Sequence, residues 1–311
     1  MKILLLGANG QLGQSFLADG GLAAIGNLVP ASRDGVMTHG QAGIAADLGD
    51  RGSLIDLLEH ERPTVIVNTA AYTAVDRAEQ EEPLARNING DAVEILGRWA
   101  AANGALVIHY STDYVFAGDA TEPYVEDAAT GPSGAYGRSK LAGEVALRSS
   151  GAHHFIFRTA WVYAPVGHNF LRTMLRLGAE RDQLRVVSDQ WGSPTDTALI
   201  VQGTLAALRT WLDADATRRT SLEGTYHLTA SGSTSWHGFA TAIMTGGMQH
   251  GLIQRAPVVH AIPTEAFPTP ARRPAYSVLD NARFSRTFDF PLPDWQVGLD
   301  RTLKALTYTQ D

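Results

Sequence analysis

The sequence predicts an α/β protein: a doubly wound parallel sheet carrying a smaller, interleaved C-terminal lobe. Three observations predict it. Short apolar runs rich in Val, Ile and Leu alternate with helical patterns through the first half, as strands buried on both faces require. The first run opens directly into a glycine-spaced turn. After about residue 165 the alternation fades and prolines crowd in at Pro257, Pro263, Pro268, Pro270 and Pro274.

Composition sets the outer bounds. The 311 residues, 44% hydrophobic and 18% charged, suffice for one large domain and a smaller one. A net charge of -7 with no basic block argues against a nucleic-acid partner. With no cysteine, the chain has no disulfide, thiolate metal site or cysteine nucleophile. The apolar start Ile3-Leu4-Leu5-Leu6 is too short for a signal-peptide core, and nothing approaches the ~20 apolar residues that a bilayer demands. The expectation is a soluble, cytoplasmic protein without a membrane partner.

Strand one, Lys2 to Leu6, delivers Gly7-Ala8-Asn9-Gly10-Gln11-Leu12-Gly13, and a helix follows from Leu12 to Ala18. Glycines at i, i+3 and i+6 permit positive φ and close backbone approach, and the free N–H groups of a helix start attract a pyrophosphate. Gly7, Gly10, Gln11, Leu12 and Gly13 are therefore expected at a dinucleotide. Strand two, Asn27 to Ala31, ends in Ser32-Arg33 with Asp34 only afterwards. An acid at the strand end would hold a ribose 2′-hydroxyl, whereas arginine accommodates a 2′-phosphate. Ser32 and Arg33 thus favour NADPH, with NADH possible; the plainer reading makes Arg33 a solvated loop charge. Asp47 and Leu48 follow strand three, where an adenine would rest, and Asp47 could equally cap the helix beginning near Arg51.

Strand four, Thr64 to Asn68, leads into Thr69-Ala70-Ala71-Tyr72, small residues against which a cofactor backbone can lie. Pro83 to Asn103 reads as one helix, with Ile88, Ala92, Ile95, Leu96 and Trp99 at helical spacing and Gly104 as its stop. Strand five, Ala105 to Tyr110, ends in Ser111-Thr112-Asp113, and Tyr136 and Lys140 then stand at i and i+4 on a helix running to about Arg148. A tyrosine titrating near pH ~10 needs a nearby cation to exchange a proton at neutral pH, which Lys140 supplies while gripping a nicotinamide ribose. Thr112, or less readily Ser111, bonds the same substrate oxygen, and the three polarise a carbonyl as hydride arrives. Alone, Tyr-x-x-x-Lys is a common surface-helix pattern; its order after the glycine turn and the Ser-Thr strand end makes chemistry the better reading. Strand six is expected from His154 to Arg158, and Ala198 to Trp211 as a helix covering the sheet. The division expected is 1–165 with 196–230 for the dinucleotide domain, of Rossmann type, and 166–195 with 231–311 for the substrate lobe.

These residues make the sequence resemble the extended short-chain dehydrogenase/reductases, and among them the dTDP-4-dehydrorhamnose reductases. The resemblance spans nearly the whole chain: Gly7 to Gly13, Val67 to Asp76, Ser111 to Phe116, Tyr136 to Glu144, Phe157 to Tyr163, Asp189 to Thr195, Tyr226 to Leu228 and Pro268 to Pro274. It implies reduction of the C4 ketone of dTDP-4-dehydro-L-rhamnose in dTDP-rhamnose synthesis, a carbohydrate and lipopolysaccharide pathway. It implies cofactor contacts at Gly10, Gln11, Leu12, Asp47, Leu48, Ala70, Ala71, Tyr72, Tyr136 and Lys140, and substrate contacts at Thr112, Asp113 and Trp161. Trp161 would wall the sugar or base, or serve as core packing. Arg273 is expected on the substrate diphosphate. Two departures stand out. The acid that many relatives carry after strand two is replaced by Ser32-Arg33, and the first helix offers Gln14 and Ser15 where some relatives have magnesium-binding glutamates. A metal site is therefore not predicted, and the chain is read as a monomer or homodimer.

Two other functions fit the same scaffold. A nucleotide-sugar dehydratase commonly carries Asp-Glu after its threonine, whereas Tyr114 follows Thr112-Asp113 here; an epimerase would show no net use of added cofactor. A non-catalytic NADP-binding regulatory subunit has no need of Tyr136, Lys140 and Thr112, all of which are present.

Overall fold

The computed structural model describes residues 1–38 and 43–308. Six strands, β1 (Lys2–Leu6), β2 (Asn27–Ser32), β3 (Ile44–Ala45), β4 (Val65–Asn68), β5 (Leu106–Thr112) and β6 (His153–Thr159), join the strand Gly224–His227 in one sheet. Every pairing in it is parallel, in the order Gly224–His227, β6, β5, β4, β1, β2, β3. The chain order reverses between β1 and β4, so a crevice opens beyond their carboxyl ends, the place where such sheets bind ligands.

The helices up to the centre of the chain are α1 (Gln11–Asp19), α2 (Gly21–Ile25), α3 (Arg51–Glu61), α4 (Val75–Ala78), α5 (Glu82–Arg86), α6 (Ala92–Asn103) and α7 (Ala135–Ser149). Beyond them lie α8 (Phe170–Glu180) and α9 (Thr197–Asp213). Successive strand residues point to opposite faces, so each apolar run feeds two cores. Ile3, Leu5, Val67, Ile108 and Phe157 meet Phe16 of α1 and Leu205 and Leu208 of α9. Leu4, Leu6, Ile66, Val107 and Ile156 meet Leu54 and Leu58 of α3 and Val93 and Leu96 of α6. Among the described residues no helix is long and apolar enough to cross a membrane.

Two local expectations need refinement. The helix predicted from Pro83 to Asn103 is α5 and α6 joined by a π turn over Asn87–Asp91. Asn87, Asn89 and Gly90 form helix poorly, and the buried Asn89 side chain leaves the helix ladder to grip the Tyr72 backbone: its Oδ1 accepts from Tyr72 N at 2.8 Å and its Nδ2 donates to Tyr72 O at 3.0 Å. The proline-dense C-terminal part is also more regular than its sequence suggests. Gln183–Val187 and Val258–Ile262 pair in parallel, with α8 and the helix Trp236–Gln249 packed against them. Pro257 and Pro263 stand immediately outside the second of these strands, marking its ends and masking its pattern.

Glycine lets α7 approach the turn after β5 and the π turn between α5 and α6. A Cβ on Gly137 would stand 2.2 Å from Tyr114 O, and one on Gly143 2.2 Å from Asn89 O. A buried ion pair then fastens it: Arg158 of β6 donates from Nε and Nη2 to Glu144 of α7 at 2.9 and 2.7 Å, the two side chains being 3% and 0% exposed. Arg158 Nη1 also donates to Glu126 O at 3.0 Å, and the guanidinium lies 4.9 Å from the Phe116 ring centroid. Breaking such a pair strands a charge in the core. Arg158→Leu is expected to cost about 3–5 kcal/mol in urea unfolding, and Glu144→Leu/Arg158→Leu less than the sum of the two single changes. Additive losses would show that the two are not coupled.

Candidate active site

The glycine turn is shaped by steric necessity. Gly7 adopts φ +78°, and a Cβ there would meet Ala70 N at 2.6 Å; one on Gly13 would meet Gly7 O at 2.3 Å. Thr69 Oγ1 donates to Leu6 O at 2.7 Å, joining the ends of β1 and β4. Gly10, the residue before α1, is extended and caps the helix with no side chain. The first-turn N–H groups of α1 are thereby left for an outside acceptor, which suits a phosphate. Gln11 Oε1 accepts from Asn169 Nδ2 at 2.8 Å, and Leu12 packs against the core.

Around this turn the expected residues gather unequally. Ser32 is buried, and its hydroxyl donates to Val36 O at 3.1 Å, so it shapes the loop; Arg33 is exposed beside it. Asn9, which the sequence reading did not single out, holds that loop through Val36 O at 2.7 Å and Thr38 N at 3.0 Å. Asp47 Oδ1 accepts from Gly49 N at 2.8 Å and Leu48 is buried. The cap of α3 that Asp47 might have formed is Asp50, bonded to Gly52 N and Ser53 N at 2.9 and 3.1 Å. Ala70, Ala71 and Tyr72 are half-buried after β4, with the Tyr72 hydroxyl on Glu81.

Tyr136 and Lys140 sit in the first half of α7. Tyr136 lies beside Thr112, and its ring meets that of Tyr114 edge-on at 5.6 Å. Burial first, then the Asp113 carboxylate, holds the Tyr136 phenol above its ordinary value, and the Thr112 side chain opposes them. The lowering by Lys140 expected from the sequence is not among these forces. Lys140, 2% exposed, contacts His109 Nε2 at 3.3 Å, and burial lowers it to about 8 against the pull of Glu144. The tyrosine is therefore poised as a proton donor and the lysine as a cation that gives up its charge more readily than usual. Thr112 Oγ1 donates to Asp113 Oδ1 at 2.8 Å, and burial lifts Asp113 to about 6.

Beyond this cluster opens a cleft of about 950 Å³ whose lining includes Asp76, Tyr114, Phe170, Trp236 and Arg273. Trp161, expected at the substrate, adopts φ +49° and stacks on Trp236 at 3.5 Å between centroids, so Trp236 is the indole that lines the cleft. Arg273 reaches the cleft tied to Asp76 Oδ2 at 2.6 Å and to the Tyr114 hydroxyl at 3.2 Å. Trp236 carries no short motif that would have marked it, and Asp76 closes the Val67 to Asp76 segment without having been given a role; Asn89 was signalled by weak helix formers inside a helical pattern. Among the described residues no group of three or more His, Asp or Glu is arranged to hold a metal ion.

Known proteins match along the same length. The family model described as the RmlD substrate binding domain matches residues 1–308. The dTDP-4-dehydrorhamnose reductase of Burkholderia thailandensis is 45% identical over 310 residues, covering 98% of this chain and 99% of that one. That of Escherichia coli K12 is 42% identical, covering 99% of each. Among solved structures, a dTDP-4-dehydrorhamnose reductase from Clostridium acetobutylicum superposes with TM-score 0.85 at 33% identity, covering 99% of this chain and 100% of that one. One from Bacillus anthracis, in complex with NADP, gives 0.82 at 33%, covering 97% and 98%. A UDP-glucose 4-epimerase from Thermus thermophilus, at 18% identity and TM-score 0.78 over 99% of each chain, shares the fold. Identity above 40% along both full lengths, with the family match from the first residue to 308, leaves one conclusion: the chain belongs to the RmlD substrate-binding-domain family, that of the dTDP-4-dehydrorhamnose reductases.

Proposed function

We propose that this protein reduces the C4 ketone of dTDP-4-dehydro-L-rhamnose to the alcohol of dTDP-L-rhamnose with NADPH, acting in the cytoplasm as a monomer or homodimer. The observation that carries the reading is Tyr136 packed edge-on against Tyr114, which lines a cleft of nucleotide-sugar size, in a chain 45% identical to a reductase of that name.

The glycine turn fits a dinucleotide: Gly7, Gly10 and Gly13 clear the space, and the N–H groups of Gln11 and Leu12 meet the pyrophosphate. Arg33 faces the 2′-phosphate from the loop that Ser32 shapes, Asp47 and Leu48 border the adenine, and Ala70, Ala71 and Tyr72 flank the chain of the cofactor. When bound, NADPH supplies the hydride. Lys140 holds the nicotinamide ribose, and Thr112 and Tyr136 converge on the ketone oxygen. Tyr136 gives up its phenolic proton to that oxygen as charge develops there. Asp113 bonds a sugar hydroxyl, Trp236 with Trp161 behind it forms a wall, and Arg273 exchanges Asp76 for the diphosphate. Residues 166–195 and 231–311 constitute the substrate lobe and 1–165 with 196–230 the dinucleotide domain.

The test is NADPH oxidation by the purified protein with dTDP-4-dehydro-L-rhamnose generated in situ. Tyr136→Phe is expected to lower kcat by at least about 100-fold while NADPH affinity changes little, since only the proton donor is lost; full turnover in that variant would sink the mechanism. Arg33→Ala is expected to raise KM for NADPH far more than for NADH in the same assay. Equal effects would place Arg33 away from the 2′-phosphate.

A further inference from the structure

One buried titratable group in the sheet has no part in the reaction as described. His109 is 0% exposed at the centre of β5, on the face that α7 covers. Its register partner in β4 is Asn68, and both side chains emerge on the same face. Asn68 Oδ1 accepts from Ala70 N at 3.2 Å, which fixes its amide, and Asn68 Nδ2 lies 3.1 Å from His109 Nδ1. The other ring nitrogen, Nε2, is 3.3 Å from Lys140 Nζ, the one hydrogen-bond partner of that nitrogen among the described residues. Burial and the neighbouring lysine hold His109 far below its ordinary value, so the ring stays neutral: it accepts from Asn68 Nδ2 at Nδ1, carries its proton on Nε2 and donates it to Lys140 Nζ, which accepts as the free amine toward which burial shifts it.

We propose that His109, oriented by Asn68, is a positioning residue for the catalytic lysine, fixing Nζ of Lys140 at the place where it serves the reaction. A lysine stem has four rotatable bonds, and α7 sets only where it begins; the sheet must set where it ends. Asn68, His109 and Lys140 form a continuous line from the backbone of Ala70, which borders the proposed cofactor site, to the lysine nitrogen. One chain of polar contacts therefore registers the helix bearing Tyr136 and Lys140 against the loop after β4.

The inference rests on the catalytic reading of Lys140, so the two are tested side by side by steady-state kinetics with NADPH and the keto-sugar. His109→Leu, which keeps an apolar volume and loses both nitrogens, is expected to lower kcat by about 10- to 100-fold with KM for the sugar within about twofold, the cost of a misplaced group. His109→Gln, whose amide reaches the place of Nε2, is expected to recover kcat to within about threefold of the parent, as the retained hydrogen bond requires. Should His109→Leu not fold, Asn68→Ser gives the same readout, because it leaves the imidazole in place but unoriented. Lys140→Met runs in parallel. If it loses turnover while His109→Leu or Asn68→Ser keeps the parental kcat, or if His109→Gln is as impaired as His109→Leu, the positioning role is wrong and the catalytic reading stands. If Lys140→Met keeps full turnover, the catalytic reading falls and this inference with it.

Discussion

The placement of the reactive side chains depends on how α7 is held against the sheet, and the buried Glu144–Arg158 pair ties the helix to β6 directly. Tyr136 and Lys140 are separated by one turn of helix, so their mutual position is fixed by α-helical geometry. Their position relative to Thr112 is not. It comes from docking, and three features define that docking: the absence of side chains at Gly137 and Gly143, the Asn89 turn beneath them, and the bidentate arginine at the far end. Asn89 Nδ2 reaches Ser139 Oγ at 2.9 Å as well as the Tyr72 backbone, so the π turn links helix and loop. An ion pair buried this completely contributes less through net attraction than through the penalty for any arrangement that separates it. That penalty favours one docking of α7 over its neighbours.

Burial has a second consequence at the site. It raises the Tyr136 phenol and lowers the Lys140 ammonium, each toward its neutral form. A neutral tyrosine is the form that a ketone reduction consumes, because the alkoxide left by hydride arrival needs a proton. The same environment lifts Asp113 to about 6, which leaves its hydrogen bond from Thr112 as the contact that orients the threonine hydroxyl. Exclusion from water keeps the proposed acid protonated and also makes it a weaker acid, so the drive for proton transfer comes from the charge that develops on the ketone oxygen.

Much of this was legible in the sequence because it rests on local rules. Apolar runs of strand length alternating with helical spacing gave a parallel sheet, and Gly7 and Gly13 are where they are because a Cβ would collide with backbone. The contacts between distant segments were not legible. Asn68 and His109 are 41 residues apart and become neighbours only through strand register. Arg273 meets Asp76 across 197 residues, and Trp236 comes to Trp161, in the bend after β6, from a helix far along the chain. The π turn was hidden for a different reason: it preserves the helical rhythm on both sides and interrupts it over a few polar residues. The sense of the Tyr136 shift was missed because spacing reveals a lysine four residues away, whereas desolvation depends on what the rest of the chain places around both.

The central claim is that a hydride reaches the C4 carbon of the keto-sugar while Tyr136 supplies the proton to its oxygen. Transfer of deuterium from NADPH labelled at the reactive nicotinamide carbon tests it most directly, with the sugar product analysed by mass spectrometry and proton NMR. The account predicts one deuterium per product molecule, located at C4, with the label absent from the recovered oxidised cofactor when the transferred position is the labelled one. Product formed without deuterium at C4, or label passing to the sugar and returning to the cofactor with no net oxidation, would contradict it.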